Sequence, residues 1–157
     1  MKALNTNFQE SRKFALTLPD TITFEVIGKV CGKQRHRSTR RGKMYTPEQT
    51  VNYESYLGFT YQSLKDKKWF DKDAQIGIAI DSYLSIPKRV SKKRKALMLS
   101  GKIRPTKKPD MDNIVKIVMD GLTGHAYPDD KQIVEFGRMG KFYTEREEKI
   151  IVSIWKV

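Results

Sequence analysis

The chain has 157 residues, enough for one domain with a sizeable core, and 31 Lys and Arg against 18 Asp and Glu give it a net charge of +13. The single cysteine excludes an intrachain disulfide and a thiolate zinc cage, and two histidines are too few to replace it. No apolar run approaches the roughly 18–20 residues needed to span a bilayer, and residues 1–19 lack the apolar core of a signal peptide.

Taken in order, residues 1–20 read as a poorly ordered arm and residues 21–157 as the folded domain. From Thr21 to Val30, Ile22, Phe24 and Val26 alternate with polar neighbours, which predicts a strand. Residues 31–43 are a basic loop with Gly32 and Gly42, and Met44-Tyr45 a short strand. Thr46-Pro47-Glu48-Gln49 is a helix start with Thr46 as cap. That helix is expected to run to about Lys67, with Val51, Tyr53, Leu57, Tyr61 and Leu64 on its apolar side. Ile76, Ile78, Ile80, Leu84 and Ile86 share one parity and mark the cleanest strand, which Pro87 ends. A short basic helix begins at Val90-Ser91, with Ala96, Leu97 and Leu99 inward, and stops near Gly101. A proline-punctuated connection follows over 102–109, then a helix from about Met111 to Leu122. Gln132 to Phe142 and Lys149 to Val157 read as strands, and the polar turn between them predicts an antiparallel hairpin. The expected fold class is α+β: a single domain with a mixed β-sheet and helices mainly on one face.

The positive charge is clustered, which favours a polyanionic partner over a merely soluble surface. One cluster holds Lys33, Arg35, Arg37, Arg40 and Arg41; the other holds Lys88, Arg89, Lys92, Lys93 and Arg94, echoed by Lys107 and Lys108. Neither cluster adjoins a strongly apolar helix face, so a membrane partner is not expected. These twelve side chains are the candidate contacts to such a polyanion.

Against this background, five aspartates fall within residues 110–130: Asp110, Asp112, Asp120, Asp129 and Asp130. On a helical wheel Lys116 lies about 40°, Asp120 about 80° and Asn113 about 100° from Asp112, with apolar residues around the rest. The helix is therefore expected to be buried on most sides, with one narrow polar stripe. Such a stripe needs partners, because an unpaired buried charge is very costly. An Asp112–Lys116 ion pair and an aspartate cap would be the plain structural uses of these residues. The return of Asp129-Asp130 before the next strand favours a second use. If that strand runs along the helix, Asp110 and Asp112 converge with Asp129 or Asp130, and their repulsion calls for a cation. An all-oxygen set suits Mg²⁺, with Mn²⁺ as a substitute. Lys116 would then stabilise charge developing on a phosphate.

The run Asp110-Met-Asp112-Asn113, Lys116, Asp120-Gly-Leu122, Gly124, Tyr127, Asp129-Asp130-Lys-Gln132-Ile133 resembles the RusA family of Holliday junction resolvases of bacteria and their phages. The likeness is dense over 107–134 and thinner over 33–53, where Arg35, Arg37, Tyr45, Thr46-Pro47 and Tyr53 fit a basic loop leading into a helix. The resemblance implies a homodimeric, Mg²⁺-dependent endonuclease of the bacterial cytoplasm, bacterial or phage-encoded. It would cut four-way DNA by paired symmetric nicks in recombination and repair. It also implies Asp110, Asp112 and Asp130 as catalytic metal ligands, Lys116 as the catalytic lysine, and Asn113, Asp120 and Asp129 in support. Some members carry an arginine directly before the first aspartate; here Pro109 follows Lys107 and Lys108, which shifts any DNA contact to those lysines. Two other readings stand beside this one: a nuclease for flaps, forks or other branched DNA, and a non-catalytic basic DNA-binding protein.

Overall fold

The structure is a computed structural model and describes residues 20–157. Of the expected N-terminal arm, only Asp20 falls within that range. In chain order the elements are β1 (Ile22–Ile27), β2 (Arg37–Ser38), β3 (Met44–Tyr45), α1 (Glu48–Gln62), β4 (Ile76–Ser85), α2 (Lys92–Leu99) and α3 (Met111–Leu122). A 3₁₀ turn (Asp130–Gln132), β5 (Ile133–Thr144) and β6 (Lys149–Lys156) complete them. This is the expected α+β class, a mixed four-stranded sheet with three helices among the described residues. The chain divides into two compact units: a sheet unit built from segments ending at Val30, spanning Gln75–Lys107 and Ile133–Val157, and a helical unit of Cys31–Ala74 and Lys108–Gln132.

In the sheet unit the strand order is β1-β6-β4-β5. β6 pairs antiparallel with both β1 and β4, and β5 pairs parallel with β4. The predicted β5–β6 hairpin is therefore wrong, because β6 is inserted between β1 and β4. The physical reason lies in composition. Ile150-Ile-Val-Ser-Ile-Trp155 is almost continuously apolar, as a strand buried on both faces requires. β5 carries Glu135, Arg138 and Lys141 and leaves Val134 and Phe136 exposed, as an edge strand can. The parity in β4 holds, since Ile76, Ile78, Ile80 and Leu84 are buried, but Gly77, Asp81 and Tyr83 on the other face are buried too. Gly77 is needed there: a Cβ would lie 2.1 Å from Trp155 Cε2.

In α2, Ser91 caps the helix by accepting from the Arg94 N–H at 3.3 Å. Its buried residue is Met98; Ala96 is exposed and Leu97 and Leu99 are half-buried, so the inward side differs from the expected one. The thioether at 98 fills the position that the apolar pattern assigned to its neighbours.

In the helical unit α1 packs on α3. The contact is close because Gly121 has no side chain; a Cβ there would meet Leu57 Cβ at 2.9 Å and the Glu54 carbonyl oxygen at 3.1 Å. On α1, Tyr53, Leu57 and Tyr61 are buried as expected, while Val51 is exposed and Leu64 half-buried. The helix begins at Glu48, with Pro47 in the cap position and no side-chain cap. Thr46 does not cap it; its hydroxyl instead lies 3.2 Å from His36 Nδ1. The helix stops at Gln62, short of Lys67, and the Lys68 carbonyl beyond it accepts from the buried Tyr61 hydroxyl at 2.6 Å. Phe70 is buried next to an exposed Trp69.

Candidate active site

The acidic run lies wholly in the helical unit. α3 spans the residues expected of it, and Ile114, Ile117, Val118, Gly121 and Leu122 form its buried side. The polar stripe, however, is open. Asp112 and Lys116 are exposed, and Asn113 and Asp120 are half-buried. The desolvation argument for this stripe therefore does not apply to Asp112 and Lys116, because the apolar residues cover one side of the helix and not most of it.

Asp110 holds the N-cap position, in extended backbone, yet its side chain makes no cap hydrogen bond. A capping aspartate normally accepts from the second or third helical N–H. Asp112 accepts from Asn113 Nδ2 at 3.4 Å. Among the described residues Lys116 forms no ion pair, so the Asp112–Lys116 pair is not made. Three charges at the start of one helix are thus left facing solvent.

Asp130 opens the 3₁₀ turn rather than a strand. Gln132 pins that turn: its buried amide donates to the carbonyls of Asp71 at 2.6 Å and Ala74 at 3.2 Å. The Asp129 carboxylate accepts from the Lys131 N–H at 3.0 Å, which with the Lys131 ammonium and a hydrogen bond to Asp130 holds its pKa low. Tyr127 connects the two ends of the run. Its buried hydroxyl donates to the Met119 carbonyl at 2.9 Å. Burial pushes its pKa well up, and the Asp130 and Asp120 carboxylates add to that rise, so both lie within electrostatic reach of one hydroxyl.

The basic loop reaches the same helix. Lys33 N–H donates to the Asn113 carbonyl at 2.8 Å. Gly32 makes that approach feasible, since a Cβ there would lie 2.9 Å from Pro109 Cβ and 3.0 Å from Asn113 Cβ. Beyond this tether β2 and β3 form a small hairpin, closed by Thr39 N–H donating to the Lys43 carbonyl at 2.9 Å and by Gly42 at φ 76°. Arg35, Arg37, Arg40 and Arg41 are all exposed, with Arg40 and Arg41 in the turn. Lys33 is not: its ammonium bridges Glu54 and Asp120, the latter at 2.7 Å, with 17% of its side chain exposed. Burial alone would lower the Lys33 pKa, but the Asp120 and Glu54 carboxylates outweigh it and raise the value.

The second cluster lies in the sheet unit, where Lys88, Arg89, Lys92, Lys93 and Arg94 are exposed. Lys107 is exposed and donates to the Ser85 carbonyl at 3.3 Å; Lys108, across the unit boundary, is also exposed. Glu54 did not figure in the sequence pattern, and Tyr127 and Gln132 figured only as motif positions with no role assigned. Gln132 and Tyr127 stand inside the motif and could have been singled out there. Glu54 carries no local signal, since its partners come from distant segments.

For a metal, the donor chemistry fits: Asp110 has an uncommitted carboxylate, Asp112 meets only an amide, and Asp130 follows a second carboxylate, Asp129, in sequence. Among the described residues, no group of three or more His, Cys, Asp or Glu side chains is itself arranged to hold an ion. Convergence of the three carboxylates is accordingly part of the proposal below.

An α+β protein with an exposed acid-and-lysine stripe, joined by its backbone to an arginine hairpin, is built like a protein that acts on nucleic acid. The family model described as "Endodeoxyribonuclease RusA" matches residues 28–155, most of the chain and parts of both units. The chain belongs to the RusA endodeoxyribonuclease family, a family of nucleases that bind branched DNA and generally depend on a divalent metal. It is also 34% identical over 143 residues to "Uncharacterized protein YqaN" of Bacillus subtilis (strain 168), a match covering 88% of this chain and 98% of that protein. No helix among the described residues is long and apolar enough to cross a membrane.

Proposed function

We propose that the chain is a Mg²⁺-dependent endonuclease that resolves four-way (Holliday) DNA junctions by paired symmetric nicks. It would act as a homodimer in the bacterial cytoplasm, in recombination and repair, whether the gene is bacterial, phage or prophage. The observation that carries this reading is the exposed stripe of α3 bonded to the arginine loop, in a chain of this family. Partnered charges would suffice for a structural helix; Asp110, Asp112 and Lys116 have other work to do.

Asp110, Asp112 and Asp130 would hold Mg²⁺ or Mn²⁺, which when bound supplies an activated water and neutralises phosphate charge. Lys116, solvent-facing and one turn beyond Asp112, would meet the charge that develops on the phosphate oxygens. Asn113 keeps an amide beside Asp112. Asp120 and Asp129 support the site from its flanks. Arg35, Arg37, Arg40 and Arg41 would neutralise backbone phosphates, as would Lys88, Arg89, Lys92, Lys93, Arg94, Lys107 and Lys108, which gives a steep salt dependence. Selectivity would rest on the shape of the branch point rather than on base edges. A two-fold dimer presents two sites to a two-fold junction, one for each nick.

The test is incubation of the protein with an end-labelled four-way junction, with and without Mg²⁺, beside fork, flap and linear duplex controls. Mg²⁺-dependent paired nicks in the junction are expected. Preferential cutting of forks or flaps would replace the junction with another branched substrate. Binding to every substrate without any cleavage would instead support a non-catalytic DNA-binding protein.

A further inference from the structure

Lys33 has a property that its place in a basic cluster hides. We propose that Lys33 is a positioning residue, which occupies Asp120 and so leaves Lys116 free to act, rather than a contact to DNA. The inference rests on the nuclease reading for its catalytic consequence, but not for its geometry.

Asp120 lies four residues beyond Lys116 on α3, the separation at which opposite charges on a helix meet. Asp112 stands at the same spacing and leaves Lys116 unpaired, but Asp112 is exposed, whereas the half-buried Asp120 without Lys33 would be an uncompensated charge and would draw the Lys116 ammonium. Lys33 forestalls this. Its ammonium sits 2.7 Å from Asp120 Oδ2 and also meets Glu54 Oε1, in a part-buried pocket where the three side chains are 17%, 23% and 26% exposed. One cation shared by two carboxylates leaves a net charge of −1, so this lysine has no surplus charge to offer a phosphate. Its backbone is fixed as well, through the N–H bond to the Asn113 carbonyl. A side chain held at both ends is suited to setting the state of its neighbours and poorly suited to following a flexible DNA strand.

The proposal separates cleanly from a phosphate contact. Loss of a phosphate contact lowers the slope of log binding constant against log salt by about one and leaves the rate on saturating DNA unchanged. In Lys33→Met, which keeps the apolar stem, we expect an unchanged salt slope and a single-turnover rate on saturating junction lower by on the order of tenfold. Lys33→Arg keeps a cation between the carboxylates and should restore the rate. The double variant Lys33→Met with Asp120→Asn should recover most of it, because the carboxylate that captures Lys116 is gone; relief of an unpaired part-buried charge would also restore some activity, so the state of Lys116 itself decides between the two. A second readout needs no cleavage. Pairing favours the charged ammonium and slows its acylation. Peptide mapping after brief treatment of the free protein with an amine-acylating reagent should show slower modification of Lys116 in Lys33→Met and recovery in the double variant. Lys33→Gln serves the same comparison if the methionine variant fails to fold. A salt slope reduced by one at unchanged saturated rate, a double variant no faster than Lys33→Met, or unchanged acylation of Lys116 would each overturn the proposal. If the wild-type protein cuts no branched DNA, the nuclease reading fails separately, and the acylation result alone decides the role of Lys33.

Discussion

The two units treat charge differently. In the sheet unit, the charges on the strands have structural partners, while the basic cluster over 88–94 stays exposed: Arg138 Nε reaches Asp81 Oδ1 at 3.4 Å, Lys149 reaches Glu25 at 2.9 Å, and Lys95 of α2 pairs with Glu145. Glu148 accepts the N–H groups of Val30 and Ser85, each at 3.0 Å. In the helical unit, Lys33, Glu54 and Asp120 follow the same rule, but Asp110, Asp112 and Lys116 break it. A charge with partners reports on folding, while a charge held in place without them is available to a ligand. The contrast predicts a crossed pattern. Removing a partnered charge should lower stability, and removing a spare one should lower activity.

The largest effect is expected at Asp112. Asp112→Asn removes a proposed metal ligand and should reduce junction cleavage about 1,000-fold or more, with junction binding retained. Its effect on stability should stay within about 0.5 kcal/mol, the value of an acidic side chain in a first helical turn. Cleavage kinetics and urea unfolding on the same preparation check both halves. Cleavage at near wild-type rate would remove Asp112 from the site, and a large loss of stability would show that its charge was partnered after all.

Gly77→Ala tests the opposite side of the comparison by sterics alone. The new methyl would meet the Trp155 ring in the middle of the sheet, and the indole cannot retreat cheaply from a buried position. Overpacking of this kind costs about 3 kcal/mol. Urea unfolding should register that loss. Single-turnover cleavage, measured in conditions where the variant is folded, should change little. A stable Gly77→Ala protein would mean that the sheet tolerates displacement of Trp155.

Most short-range patterns were legible in the sequence, although the Thr46 cap, the end of α1 and the inward side of α2 were not, and long-range choices were not legible. The bounds of α3 and its motif could be read because the apolar spacing, the Asp110 cap position and the polar stripe all lie within a few turns. The parity of β4 was legible for the same reason. Strand order was not, because pairing β6 with β1 and β4 brings together residues far apart in the chain. Even so, the apolar run through Ile150–Trp155 already distinguished an interior strand from the glycine- and charge-bearing β5. The exposure of the α3 stripe was misjudged because a wheel records which residues share a face, not how much of the helix is covered. The ion triad was hidden for a simpler reason. Lys33 stands among arginines that are exposed, and only the fold brings Glu54 and Asp120 to its ammonium.

Glu148 offers the smallest expected change and the most direct comparison with Asp112. Both are carboxylates, but Glu148 is committed to the backbone at two points. Partial burial pushes its pKa up, and the Ser85 and Val30 N–H groups together with Lys107 outweigh that effect and hold it below the usual glutamate value. The sign follows from linkage. A carboxylate whose pKa is depressed by folding contributes stability that is fully present above its unfolded value near 4.5 and disappears as pH falls through the lower folded value. Glu148→Gln keeps the shape and one acceptor but loses the charge, so it should cost about 1–2 kcal/mol at neutral pH. That difference from wild type should shrink as the pH falls below 4.5, because the wild-type side chain is then protonated as well. Urea midpoints for the two proteins from pH 7 down to pH 3 would trace the convergence. Cleavage at neutral pH should be untouched, since these contacts all lie in the sheet unit and none involves the acid stripe of α3. Parallel stability curves would show that the Glu148 charge is not what holds Val30 and Ser85.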